Sequence, residues 1–199
     1  ETTEAEKSGR NVYEVIYNQA AECPTGNRGM MLIPYFQGAN GPYWDLDARG
    51  VLFGMSMDCG RPQMVRAIME GLAYESRRQA EYMEAGTATS VERIVMYGGS
   101  TKSDLWNQVF ADVFNKPLNV PHTTETTALG AAISAAVACG MYGTCKESAE
   151  KMVTIDKRYK PIPKNAARYE RFYREVYEKY YDSVAHFMRK IAELNEGKD

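Results

Sequence analysis

The stretch RIVMYGGSTKSDLWNQ, residues 93–108, decides how this chain is read. A short apolar run ends at Gly98-Gly99, small polar residues follow, and from Ser103 apolar residues return at helical spacing. The pattern predicts a strand, a tight turn and a helix. Free N–H groups at a helix start, and glycines that carry no Cβ, would let a nucleotide lie flat against such a corner. Neither common nucleotide motif is complete, however. A dinucleotide-binding turn needs G-x-G-x-x-G, and only Gly98 and Gly99 are present; a P-loop needs Gly directly before Lys-Ser/Thr, and Thr101 precedes Lys102-Ser103. By itself the corner is either a plain strand-to-helix turn or a nucleotide seat.

Downstream, SDLWNQVFADVF (103–114) reads as a helix, PLNVP (117–121) as a short strand and TALGAAISAAVACG (127–140) as a helix of small residues. Its Ala128, Ala131, Ala132, Ala135 and Ala136 leave room for a sheet or helix to approach closely, so burial is expected. Residues 166–195 read as a long C-terminal helix. There Tyr169, Phe172, Tyr173, Val176, Tyr180, Val184, Phe187, Ile191 and Leu194 form one stripe at spacings of three and four, expected to dock as core. Upstream, VYEVIYNQAA (12–21) reads as a short helix, MMLIPYF (30–36) as a buried strand, GANGPYWDLDARG (38–50) as a loop and VLFGMS (51–56) as a second strand. From Pro62, the positions Met64, Ile68, Leu72, Ala80 and Met83 mark one face of a long helix ending near Gly86.

The 199 residues suffice for one domain, or one domain with an appendage. The formal net charge is −2, with Lys and Arg interspersed among Asp and Glu, which argues against nucleic acid or an anionic membrane as main partner. No apolar run approaches the ~18 residues needed to span a bilayer, and ETTEAEKSGR at the start has no signal-peptide core. A cytoplasmic location is expected. Cys23, Cys59, Cys139 and Cys145 contain no C-x-x-C pair, and His122 and His186 are the only histidines, so reduced thiols and no metal site are expected.

Three segments, in this order, then point to one family. PYFQGANGPYWDLDARGVLFGMS (34–56) is similar to a loop of the type P-Y-W-D-P-x-A-R-G followed by a strand. Over residues 50–70, Gly50, Leu52, Gly54 and Met55, then Gln63, Met64, Ala67, Ile68, Met69 and Glu70, fit a signature that follows that loop. YGGSTKSDLWNQVFADVFNKPLNVPHTTETTALGAA (97–132) is similar to a segment in which G-G-x-x-x-S-x-x-W-x-Q leads through a strand into T-A-L-G-A-A. From Leu32 to about Asp182 the chain thus resembles the C-terminal domain of the FGGY carbohydrate kinases, the group that includes glycerol kinase, xylulokinase, gluconokinase and rhamnulokinase.

The resemblance implies an α/β fold of the actin-like ATPase (ribonuclease H-like) type, a mixed sheet flanked by helices with a long C-terminal helix. Residues 1–199 would be the C-terminal, nucleotide-binding lobe of a two-lobed kinase. ATP, with Mg²⁺ held through the nucleotide and the other lobe, would lie in the cleft between lobes. Gly98 and Gly99 would pack against the adenosine and its phosphate, with Ser100 beside them and Ser103 next to the adenine. Gly130 and its alanines would allow close packing behind that site. The sugar-binding residues, the general base and the Mg²⁺-organising carboxylates belong to the N-terminal lobe, so no catalytic or metal residue is assigned here. Asp45, Asp47 and Asp58 match none of them, and Asp45 and Asp47 read as turn residues that bond their own backbone. The family's early phosphate-binding hairpin of the G-T-S/G type is not found, so a fragment beginning inside the second lobe, inactive alone, is expected. The implied reaction is transfer of the ATP γ-phosphate to a sugar or polyol hydroxyl. GGSTKSDLWNQ favours a ketopentose such as xylulose, and GPYWD keeps glycerol or another polyol as rival. A non-catalytic actin-like ATP-binding scaffold is the alternative from another class, and the aromatic C-terminal helix is a candidate homodimer contact.

Overall fold

The computed structural model describes Gly9 and residues 11–195. Helix α1 (Val12–Ala21) precedes a two-stranded antiparallel ribbon of β1 (Met31–Ile33) and β2 (Val51–Phe53), joined by the long loop 34–50. The long helix α2 (Arg61–Thr87) follows, then β3 (Ile94–Val95), a 3₁₀ turn (Gly99–Lys102), α3 (Asp104–Phe114) and β4 (Leu118–Pro121). Helices α4 (Thr126–Ala138) and α5 (Cys145–Met152) lead to β5 (Ile155–Tyr159). The chain then runs through α6 (Pro163–Phe172), a π-helical turn (Tyr173–Tyr177) and α7 (Glu178–Asn195). The second sheet is mixed, in the order β3-β4-β5, with β3 parallel and β5 antiparallel to β4. Helix α5 and strand β5 escaped the sequence reading, because charged residues dominate both CKESAEKM and IDKRY.

Helix α2 organises the rest. It starts where the Gly60 amide donates to the Gln63 side chain (2.9 Å) with Pro62 in the first turn, and it stops at Ala88, whose φ of 52° is left-handed. The apolar face marked by sequence spacing is not its core face: Met64, Ile68 and Met83 are exposed. The buried side carries Ala67, Met69, Gly71, Ala73 and Tyr74 together with Arg66, Glu70, Glu75, Arg77 and Arg78. Hydropathy periodicity misreads this helix because its buried charges come with partners. Arg66 Nε lies 2.7 Å from Glu70 Oε1, Arg77 Nε 2.9 Å from Glu81 Oε1, and Arg78 pairs with Glu75. Gly71 lets the helix lie on β1, since a Cβ there would sit 2.4 Å from the Leu32 carbonyl oxygen.

The C-terminal rod is locked to α2 by a row of tyrosines. Tyr169, Tyr173, Tyr177 and Tyr181 are all buried, and each hydroxyl donates to a carboxylate: Glu70 (2.7 Å), Glu81 (2.9 Å), Glu75 (2.9 Å) and Asp45 respectively. In a straight α-helix a spacing of four overshoots each turn by about 40°. The wider π-helical turn at Tyr173–Tyr177 slows that drift and keeps the row facing α2. The single aromatic stripe expected from sequence therefore splits. Ala185 and Met188 continue the buried row, whereas Phe187, Ile191 and Leu194 are exposed, and half-buried Tyr180 stacks on Phe53 (centroids 4.2 Å). The expected burial of α4 is also overturned. Of its alanines only Ala136 is buried within this chain, and Ala128, Ala131, Ala132 and Ala135 face outward.

Beneath the sheet, Ala111 of α3 packs with Leu118 and Val120 of β4, flanked by Ile94, Met96, Phe110 and Tyr159. Among the described residues no helix is long and apolar enough to cross a membrane. Two substitutions separate the faces of α2. Glu70→Ala strands the Arg66 guanidinium in the interior and should lower the unfolding free energy by about 3–5 kcal/mol. Met64→Ala, on the exposed apolar stripe, should stay within about 0.5 kcal/mol of the parent. Urea denaturation of both variants checks this.

Candidate nucleotide ledge

Strand β3 delivers the chain to Gly98, whose φ of 92° lies where only glycine sits without strain. Its carbonyl then accepts from the Thr101 amide (3.2 Å) and the Thr101 hydroxyl (2.7 Å), while the Ser100 carbonyl accepts from the Ser103 amide (3.0 Å). Ser103 is the N-cap of α3: its Oγ accepts from the Trp106 amide at 3.3 Å and its carbonyl from the Asn107 amide at 3.1 Å. The tight turn expected between the strand and α3 takes the form of this 3₁₀ turn, Gly99–Lys102.

This turn brings Gly98, Gly99, Ser100 and Ser103 onto one corner, and the corner is open. A Cβ built on Gly98 or on Gly99 would meet nothing within 4 Å. Gly99 is exposed, Gly98 and Ser100 are half-exposed, and Ser103 is buried as a cap. The Gly99 and Ser100 amides bond to no group among the described residues. Unpaired backbone donors beside uncovered glycines form a flat ledge suited to an anionic or planar ligand. Two cavities, about 350 and 190 Å³, lie along the C-terminal rod instead, and neither includes a residue of this turn. A ledge has one wall; it becomes a pocket only when something faces it.

Behind the ledge stand residues the sequence reading passed over. Thr101 and Asn107 are buried, and Asp104, Lys157 and Tyr159 join them in one bonded cluster. The bonds from Lys157 and Tyr159 hold the Asp104 carboxyl below the usual carboxylate range. The Gly130 expectation fares differently. A Cβ there meets nothing within 4 Å, so no described element packs closely on it.

The acidic residues set aside as catalytic candidates are engaged elsewhere. Asp45 Oδ1 accepts from the Asp47 amide (2.9 Å), as its turn character suggests, and its other oxygen takes Tyr181 and Arg189. Burial raises the Asp45 carboxyl, but those bonds outweigh it and leave it below its ordinary value. Asp58 is exposed and paired with Arg28 at 2.6 Å. Among the described residues, no group of three or more His, Cys, Asp or Glu could hold a metal ion.

Comparison with known proteins meets this geometry directly. Residues 1–139 match the model of the FGGY family of carbohydrate kinases, C-terminal domain. The chain belongs to that family. A glycerol kinase of Desulfitobacterium hafniense is 34% identical over 84% of this chain and 32% of its own length. Among solved structures, the xylulose kinase of Lactobacillus acidophilus superposes with a TM-score of 0.82 at 28% identity, over 92% of this chain and 37% of that one. The gluconate kinase of the same organism gives 0.80 at 29% identity, over 88% and 35%. The fold is the actin-like ATPase fold of the FGGY kinases, and the chain spans about a third of the length of the relatives it matches.

The ledge makes a sharp stability contrast within this FGGY domain. Gly98→Ala forces an L-residue into a positive-φ, extended-ψ conformation that is essentially glycine's alone and should cost about 1–3 kcal/mol. Gly99→Ala, with ordinary backbone angles and open space, should stay within about 0.5 kcal/mol. Thermal unfolding of the two variants measures it.

Proposed function

We propose that this chain is the nucleotide-holding part of the C-terminal lobe of an ATP-dependent carbohydrate kinase, with Gly98, Gly99, Ser100 and Ser103 as the seat of the adenosine. The observation that carries this reading is the open glycine ledge, with unpaired amides, in a chain of FGGY type. Gly98 and Gly99 let the purine and ribose approach the backbone. The free Gly99 and Ser100 amides donate toward the nearest phosphate oxygens. Ser103, already accepting from Trp106, keeps its hydroxyl proton for an acceptor on the base.

ATP, when bound, supplies the γ-phosphoryl group. The chain's own residues hold and orient, which is the larger part of catalysis for a transfer that depends on alignment and charge neutralisation. Among the described residues no group of three or more His, Cys, Asp or Glu could hold Mg²⁺, which on this proposal is held through the nucleotide and the second lobe. The general base and sugar contacts belong, on this proposal, to a second lobe that closes over the ledge and excludes water. Uncovered faces support a missing neighbour: the Met64–Ile68 stripe of α2, the small-residue face of α4, and Val95 and Tyr97 at the edge of the mixed sheet. Each is an apolar or closely approachable surface that this chain leaves bare.

For the acceptor, a ketopentose such as xylulose stands first, on the likeness of GGSTKSDLWNQ to the xylulokinase-like branch. Glycerol stands second, favoured by the 34% identical glycerol kinase. A coupled ADP-release assay on the full-length gene product, run with xylulose, gluconate and glycerol, tests the reading. Release that depends on one of these substrates is expected, and the purified 199-residue chain should phosphorylate none. No substrate-dependent release by the full-length product would favour the scaffold reading, and robust transfer by the chain alone would refute the division of labour.

A further inference from the structure

The turn that forms the ledge is gripped from behind by a strand far away in sequence. Asn107, wholly buried, donates from Nδ2 to the Thr101 carbonyl (2.8 Å) and to the Tyr159 hydroxyl (3.2 Å). Reversing that amide would set its oxygen against the Thr101 carbonyl, so the donation fixes its orientation. Asn107 Oδ1 has no partner among the described residues, which leaves the Nδ2 bonds alone to hold the side chain. The Tyr159 hydroxyl in turn donates to Asp104 Oδ1 at 2.6 Å, and Lys157 Nζ reaches the same oxygen at 2.7 Å. The bonds run in one consistent direction, from Asn107 to Tyr159 to Asp104.

The sheet explains why a residue of β5 can do this. Ile94 of β3 pairs with Leu118 of β4, and Leu118 pairs with Tyr159 of β5, so the three lie in one row across the sheet. β3 feeds the turn at one end of that row, and the Tyr159 hydroxyl returns to the turn from the other. Thr101 sits inside the 3₁₀ turn and Asp104 is the first residue of α3. The cluster therefore pins both ends of the corner whose outer surface is Gly98–Ser100. Neither Asn107, which is buried, nor β5 supplies a residue of that outer surface.

We infer that Asn107, Tyr159 and Asp104 are positioning residues for the nucleotide: they hold the turn in the shape that presents the Gly99 and Ser100 amides, so the affinity of the ledge depends on a hydroxyl that never touches the ligand. The inference rests on the reading of the ledge as a nucleotide seat. A turn ordered before binding spares the ligand the cost of ordering it. Loss of the Tyr159 hydroxyl removes two bonds while its ring stays over Leu118 and Ala111 in the core.

Calorimetric titration of the full-length gene product with ADP tests this, using Tyr159→Phe, Asp104→Ala and Asp104→Asn. Tyr159→Phe and Asp104→Ala should weaken ADP about three- to tenfold, the worth of one hydrogen bond. Asp104→Asn keeps an oxygen for Tyr159 to donate to and should restore affinity to within about twofold of the parent. Amide exchange without ligand supplies a second readout. In the two weakened variants exchange should quicken at Thr101 and Ser103 and stay unchanged in β4. Variants that bind ADP as tightly as the parent, or exchange that quickens equally throughout, would overturn the positioning role. Failure of the full-length parent to bind ADP would instead overturn the ledge reading on which it rests.

Discussion

Four tyrosine hydroxyls bonded to four carboxylates hold this domain together. Tyr169, Tyr173, Tyr177 and Tyr181 bury their rings against α2 and the loop, and donate hydrogen bonds from their hydroxyls to Glu70, Glu81, Glu75 and Asp45. The pairing resolves a conflict that would otherwise forbid the arrangement. Buried carboxylates and guanidinium groups are tolerable only when bonded, and buried rings alone could not bond them. Arginines complete the set, with Arg66 bonding both Glu70 and Tyr169, and Arg77 lying over the Tyr173 ring at 4.2 Å. Removing Glu70 or Glu75 leaves the Arg66 or Arg78 charge in the interior without its carboxylate.

The same framework reaches the ledge through α3. Arg77 Nη1 donates to the Val113 carbonyl at 2.9 Å, and Asp112 accepts from the Ile162 amide and from Asn165 at the start of α6. The C-terminal end of α3 is thereby fixed between α2 and the rod. Its N-terminal end carries the ledge and is fixed by β5. A helix clamped at both ends presents its first turn rigidly, which is what a flat ligand surface needs.

Much of this was legible in the sequence, for identifiable reasons. The helices and strands read from the sequence, among them α1, α3 and β4, lie close to where their apolar runs and bounding turn residues put them. The place of the corner was legible because two adjacent glycines stand between an apolar run and a helical pattern, whereas its reading as a nucleotide seat came from the family resemblance and not from the glycines themselves. What misled was polarity inside and apolarity outside. The core face of α2 hides arginines and glutamates that hydropathy assigns to solvent, and its Met64–Ile68 stripe looks like core only because a sequence does not say which neighbours are present. The π-helical turn is equally silent, since it changes the winding without changing the residue types. Asn107 and Tyr159, 52 residues apart, could be joined only by the row through β4.

The central claim is that adenosine rests on the backbone of Gly98 and Gly99. A crystal structure of the full-length gene product with ADP tests it most directly. The account predicts purine and ribose density lying across Gly98–Gly99, with a phosphate oxygen within hydrogen-bond reach of the Gly99 or Ser100 amide. Density for the nucleotide elsewhere, such as the cavity lined by Arg168, Arg171 and Phe172, with the glycine corner bare, would contradict it.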